Sequence, residues 1–169
     1  RACDRRRASG RRDYAVIVLI LRLGLRASEV ATLRLEDLDW RAGQVTVHGK
    51  GHRVDQLPLP VSAGEAIAGC LCRGRPRTAT VREVFVRVRP PRAGLSRGAV
   101  TTIVARAAGR ARLGAVRAHR LRHTAASDML RAGAPLGEIG QVLRQRSPGS
   151  TAAYARVDVE RLRTIARPW

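Results

Sequence analysis

Leu38-Asp39-Trp40-Arg41-Ala42-Gly43-Gln44-Val45-Thr46-Val47-His48-Gly49-Lys50-Gly51-His52-Arg53-Val54-Asp55-Gln56-Leu57-Pro58-Leu59 is the stretch in which the apolar spacing of this chain turns from helical to alternating. A period of two marks half-buried strands, and glycines between the alternating runs mark the turns. Leu38-Asp39-Trp40, Gln44-Val45-Thr46-Val47 and Val54-Asp55-Gln56-Leu57 therefore read as three strands, separated by Arg41-Ala42-Gly43 and by Gly49-Lys50-Gly51-His52. The expected product is a small antiparallel meander whose second turn carries Lys50.

Outward from this patch the pattern is helical. Asp13 to Leu23 is apolar at Tyr14, Ile17, Val18 and Leu21, with Gly24 as its stop. Ser28-Glu29-Val30 opens a short second helix, with Ala27 or Ser28 at its N-cap. Ser62-Ala63-Gly64-Glu65 has the form of a capping box, opening a helix to about Cys72. Val84-Phe85-Val86 reads as one more short strand. Ser96 caps a helix to about Leu113, His119 to Leu130 is helical with Gly133 as its stop, and Leu136 to Leu143 follows Pro135. Ser147-Pro148-Gly149-Ser150 is a turn, Thr151 to Arg156 a helical turn, and Val159 to Ala166 a last helix. The fold class is mainly α with a small antiparallel β-sheet. Residues 1–10 are basic and lack periodicity, so they read as a linker stub, leaving 11–169 as one domain.

Composition limits the partner. With 33 Lys+Arg against 13 Asp+Glu, the 169 residues carry a net charge of +20. Such charge repels itself in a compact fold unless a polyanion neutralises it, which points to nucleic acid. Apolar residues at 44% are enough for a core, and aromatics at 3% are too few for a base-stacking platform. The longest apolar run, Ala15 to Leu21, is too short to span a membrane, so no membrane partner is expected. Cys3, Cys70 and Cys72 suggest neither a disulfide framework nor a zinc site, which fits a reducing cytoplasm. All the cations but Lys50 are arginines, and unlike arginine a lysine can give up a proton.

Four features carry chemistry: Gly24-Leu25-Arg26-Ala27-Ser28-Glu29, the Lys50 turn, His119-Arg120-Leu121-Arg122-His123, and Tyr154. On a helix, His119, Arg122 and His123 share one face, a basic cradle suited to a phosphodiester, while Arg120 points elsewhere. Singly, each has a bland reading as a solvated face or a packed aromatic. In this order, from Asp13 to Pro168-Trp169, they resemble the catalytic domain of the tyrosine recombinases, the phage-integrase family.

The resemblance implies a set of roles. It makes Arg26 and Arg122 the catalytic arginines, Lys50 the catalytic lysine, His119 the catalytic histidine and Tyr154 the nucleophile, with Glu29 and His123 in support. It implies cleavage and rejoining of double-stranded DNA through a 3′-phosphotyrosyl bond, with no metal and no cofactor, by protomers gathered in a tetrameric synapse. A bacterial, cytoplasmic, nucleoid-associated protein is implied with it. The chemistry is coherent, because the scattered carboxylates cannot hold Mg²⁺ and the arginine forks can carry the transition-state charge instead. Lys50 would protonate the leaving 5′-oxygen, His119 would act as base or hydrogen-bond partner, and Glu29 would orient His119 or an arginine. Arg110, Arg112, Arg117 and Arg120 are the expected phosphate contacts.

The sequence departs from the family pattern at two places. Gln145 stands where a His, sometimes a Trp, is usual, which predicts attenuated catalysis. The basic stub 1–10 stands where complete members have an N-terminal DNA-binding domain. A weakened DNA-binding remnant and a type IB topoisomerase-like strand transferase are the alternatives. A ribosomal or nucleoid protein would explain the charge but not the ordered motifs.

Overall fold

In a computed structural model of the chain the described residues are 2–49, 51 and 53–144. The turn expected at 147–150 and the helical segments expected at 151–156 and 159–166 lie outside them.

The alternating stretch forms the expected meander. Strands β1 (Leu38–Asp39), β2 (Gln44–His48) and β3 (Val54–Pro58) make an antiparallel sheet in the order β1-β2-β3. The register pairs Leu38 with Val45 and Val45 with Leu57, so these three apolar side chains face the core together. Gly49 N–H donates to the Arg53 carbonyl at 2.8 Å, closing the second turn.

The helices are α1 (Ala8–Leu23), α2 (Ala27–Thr32), α3 (Val61–Arg73), α4 (Arg97–Arg110), α5 (Ala118–Arg131) and α6 (Leu136–Val142). Helix α1 is central: it packs on α3 and α5 and buries Ala15, Val16, Leu19, Ile20 and Leu23, an inward stripe of helical period. Helix α4 covers α2, and α6 leans on α5 through Ala126, Ile139 and Leu143. The main core joins α1, α3 and the sheet to Phe85, which is fully buried. Among the described residues no helix is long and apolar enough to cross a membrane.

Four local expectations change. Helix α1 begins at Ala8 rather than Asp13, because residues 4–7 form a turn against it: Arg7 N–H donates to the Asp4 carbonyl, and Gly10 is buried on that backbone. The last residues of the expected stub are thus helix. Helix α2 is capped by Arg26 rather than Ala27 or Ser28, because Glu29 reaches back to accept the Arg26 N–H at 2.7 Å. Helix α3 opens at Val61 after Pro60, whose preset φ starts the helix early and leaves Ser62 inside it instead of at a cap. Residues 84–86 are buried but form no strand: the chain bends at Val84 and Phe85, between single bridges that join Arg34 to Glu83 on one side and Val86 to Gly94 on the other. Ser96 does cap α4, accepting the Ala99 N–H at 3.1 Å.

Candidate active site

The site is built where α1 ends. Gly24 closes α1 at φ +59, a left-handed conformation that glycine adopts without strain. A side chain there would also meet Leu143, since a Cβ would lie 2.3 Å from its Cδ2. The chain then turns through buried Leu25 to Arg26 and enters α2, which places Glu29 one turn beyond Arg26. Glu29 is 3% exposed, and the hydrogen bonds to its carboxylate are charge-assisted. Its Oε1 accepts Arg26 Nη1 at 2.7 Å, and its Oε2 accepts both the Arg26 N–H and Arg144 Nη2, each at 2.7 Å. Burial pushes the Glu29 carboxyl up, but the Arg26 N–H and the Arg144 charge outweigh it and hold the pKa below 4.5.

Helix α5 supplies the second arginine. Arg122 is 8% exposed, and its fork spans two main-chain segments, Nη1 donating to the Gly24 carbonyl and Nη2 to the Leu143 carbonyl. Arg26 Nη2 donates to the next carbonyl, that of Arg144, at 3.0 Å. The two arginine forks therefore converge on consecutive carbonyls just after α6. Arg26 keeps an outward side, with 42% of its side chain exposed. His119 and His123, one turn apart on α5, are both exposed and meet edge to face with ring centroids 5.9 Å apart. Burial first, then the charges of His119 and Arg122, lower the His123 pKa from 6.5.

The expected phosphate contacts Arg110, Arg112, Arg117 and Arg120 are all exposed, at the end of α4, in the α4–α5 connection and at the start of α5. Arg110 also bonds within the chain, its Nε donating to the Ala2 carbonyl at 2.6 Å. Lys50, Gln145 and Tyr154 lie outside the described residues. The structure thus brings Arg26, Glu29 and Arg122 together with the α5 histidines following on the same helix. Glu29 takes the arginine option left open by the sequence: it engages Arg26 and Arg144.

Sequence reasoning missed Arg144, one arginine in a chain full of them, and nothing local marked it. It also missed Asp37, 6% exposed, which accepts the Arg34 N–H at 2.8 Å and lies 2.9 Å from His48 Nε2 beside the Lys50 turn. Among the described residues no group of three His, Cys, Asp or Glu side chains could hold a metal ion.

A helical domain with this sheet, closing two arginines and a buried glutamate onto one turn, has the fold of tyrosine recombinase catalytic domains. The structure of XerA recombinase superposes with a TM-score of 0.80 at 22% identity, covering 95% of this chain and 60% of that one. XerH recombinase bound to palindromic difH substrate superposes at 0.78 with 20% identity, covering 94% of this chain and 46% of that one. The chain belongs to the phage integrase family, whose pattern matches residues 1–161. It is 49% identical over 169 residues to y4rA of Sinorhizobium fredii, covering 98% of this chain and 41% of that protein. With y4gC of the same organism the figures are 40% over 162 residues, 94% of this chain and 83% of that protein. Tyrosine recombinase XerC of Mycobacterium leprae is 34% identical over 159 residues, and the chain spans 52% of its length.

Proposed function

We propose that this chain cuts and rejoins double-stranded DNA as the strand-transfer domain of a site-specific recombinase or integrase. The observation that carries the reading is the convergence of the Arg26 and Arg122 forks on consecutive carbonyls, with Glu29 buried behind Arg26. Two arginines anchored on consecutive carbonyls of one turn suit the non-bridging oxygens of one phosphodiester, and membership of the phage integrase family supports that use.

In the proposed reaction the Tyr154 phenol oxygen attacks phosphorus, and its proton passes to His119. The bond to the 5′-oxygen breaks and Lys50 supplies the proton that the leaving oxygen takes, giving a 3′-phosphotyrosyl bond and a free 5′-hydroxyl. Rejoining runs the same steps backward and needs no nucleotide cofactor, because the phosphodiester's energy is kept in the tyrosyl ester. Arg26 and Arg122 stabilise the pentacovalent charge, and Gln145 adds a neutral hydrogen bond where an imidazole would add a stronger one. Arg112, Arg117 and Arg120, with Arg110 once released from Ala2, grip flanking phosphates. Protomers paired on DNA, four to a synapse at the bacterial nucleoid, would exchange strands. Gln145 also favours a second reading, a DNA-binding remnant that no longer cleaves.

A nicked suicide duplex, from which the cleaved end diffuses away, tests both. Covalent trapping that Tyr154→Phe abolishes supports the recombinase. Equal trapping by the Tyr154→Phe variant overturns the tyrosine assignment, and tight binding with no trapping by the parent favours the remnant. Strand exchange between two sites separates recombination from topoisomerase-like relaxation.

A further inference from the structure

Arg144 has a backbone that suits glycine and a side chain buried in the site. Its φ is +53, where a non-glycine residue is strained, and it is 6% exposed. Strained residues persist where the surroundings over-determine them, and they cluster at working sites. Here the surroundings are explicit. Arg144 Nη2 donates to Glu29 Oε2 at 2.7 Å, Glu29 Oε1 accepts Arg26 Nη1 at 2.7 Å, and Arg26 Nη2 returns to the Arg144 carbonyl at 3.0 Å. The three residues form a closed ring, so the Arg26 fork is fixed from both sides.

The charge count adds a second consequence. Glu29 alone beside Arg26 would make a neutral pair and spend the arginine's charge internally. With Arg144 also on the carboxylate, two cations share one anion and the cluster keeps a net positive charge, with the half-exposed Arg26 as its outward member. We infer that Arg144 is a positioning residue for strand cleavage: it divides the Glu29 charge and so keeps the Arg26 fork both oriented and positive toward the scissile phosphate. This rests on the proposed recombinase reading.

Among the described residues the other groups around Glu29 are few. Arg122 of α5 bonds the neighbouring main chain at Gly24 and Leu143, and His119 and His123 lie outward on that helix. Helix α4, packed on α2, turns Val100, Ile103 and Val104 inward and leaves Arg97, Arg106 and Arg110 exposed. Arg26 and Arg144 are thus the cations that touch the carboxylate, and loss of Arg144 must let its proton affinity rise.

Arg144→Gly and Arg144→Asn remove the guanidinium while suiting the left-handed backbone. In single-turnover cleavage of the suicide duplex at saturating DNA, each should be slower by on the order of 10- to 10²-fold. DNA affinity should change by less than about 3-fold, because the many other arginines carry it. A carbon-13 titration of the Glu29 carboxyl should show its midpoint displaced to higher pH in both variants, and the acid limb of the cleavage rate should move with it. Parent-like rates, or an unmoved Glu29 midpoint, overturn the proposal. If both variants fail to fold, Arg144→Lys decides: it must cleave more slowly than the parent with DNA affinity kept, and an equal rate overturns the proposal. A parent that never traps DNA sinks the recombinase reading instead, while the Glu29 titration still reports whether Arg144 holds that carboxylate.

Discussion

Arg122 donates to the carbonyl of Gly24, 98 residues earlier in the chain, and so ties α5 to the turn that delivers Arg26. The same guanidinium holds the Leu143 carbonyl, and the Leu143 side chain lies where a Gly24 Cβ would be. One arginine and one missing side chain thereby lock three segments into a single site.

Gly24→Ala should therefore damage both the fold and the site. It forces a left-handed residue and displaces the fully buried Leu143, for a combined cost of about 2–4 kcal/mol. Chemical denaturation would read this as a lowered midpoint with an unchanged slope. A midpoint within error of the parent's would show that Leu143 moves aside freely.

Glu29 gives the acid side of the stability curve its sign. Its folded pKa lies below 4.5, so the folded state binds fewer protons there than the unfolded chain. Its contribution is fully present above about pH 4.5 and is lost as pH falls through the lower, folded value. Glu29→Gln should flatten the loss of stability below pH 4.5 while lowering stability near neutrality by roughly 3–5 kcal/mol, since buried Arg144 loses its anion along with the half-exposed Arg26. Melting curves from pH 3 to pH 7 for both proteins would check it.

The cysteines should differ sharply toward thiol reagents. Cys70 is buried and its pKa is pushed up to about 11, chiefly by that burial, whereas Cys72 is exposed. At pH 8 a disulfide reagent should modify Cys72 at once and Cys70 only on unfolding. Mass spectrometry of peptides from briefly labelled protein would show modification at Cys70 if that helix face were open.

Lys50 is expected to act through its proton. Lys50→Arg keeps the charge but holds the proton too tightly, so cleavage should slow by roughly 10²- to 10⁴-fold. A substrate with sulfur at the bridging 5′ position has a leaving group that needs no proton and should restore the variant's rate. Equal defects on both substrates would reduce Lys50 to a phosphate contact.

Gln145→His should raise the rate of phosphotyrosyl formation. Charge-assisted hydrogen bonds are about twice as strong as neutral ones, so the gain is roughly 1–2 kcal/mol, on the order of 5- to 30-fold. Single-turnover cleavage at saturating DNA is the measurement. No gain would mean that the site has adapted to glutamine.

The sequence by itself determined what depends on neighbours along the chain. The alternation in 38–59 gives three strands in register, and the spacing of His119, Arg122 and His123 puts them on one helix, because strand and helix periods are local. Even there, the starts of α1, α2 and α3 slipped by one to five residues, since Asp4, Glu29 and Pro60 set those caps. Only the tertiary structure decided where the charged side chains spend their hydrogen bonds. Glu29 and Arg144 are 115 residues apart, and no pattern in the sequence distinguishes Arg144 from the arginines left in solvent. Their pairing exists because packing of α6 on α5, with Arg122 bridging Leu143 to Gly24, delivers a left-handed arginine to a buried carboxylate that needs a second cation.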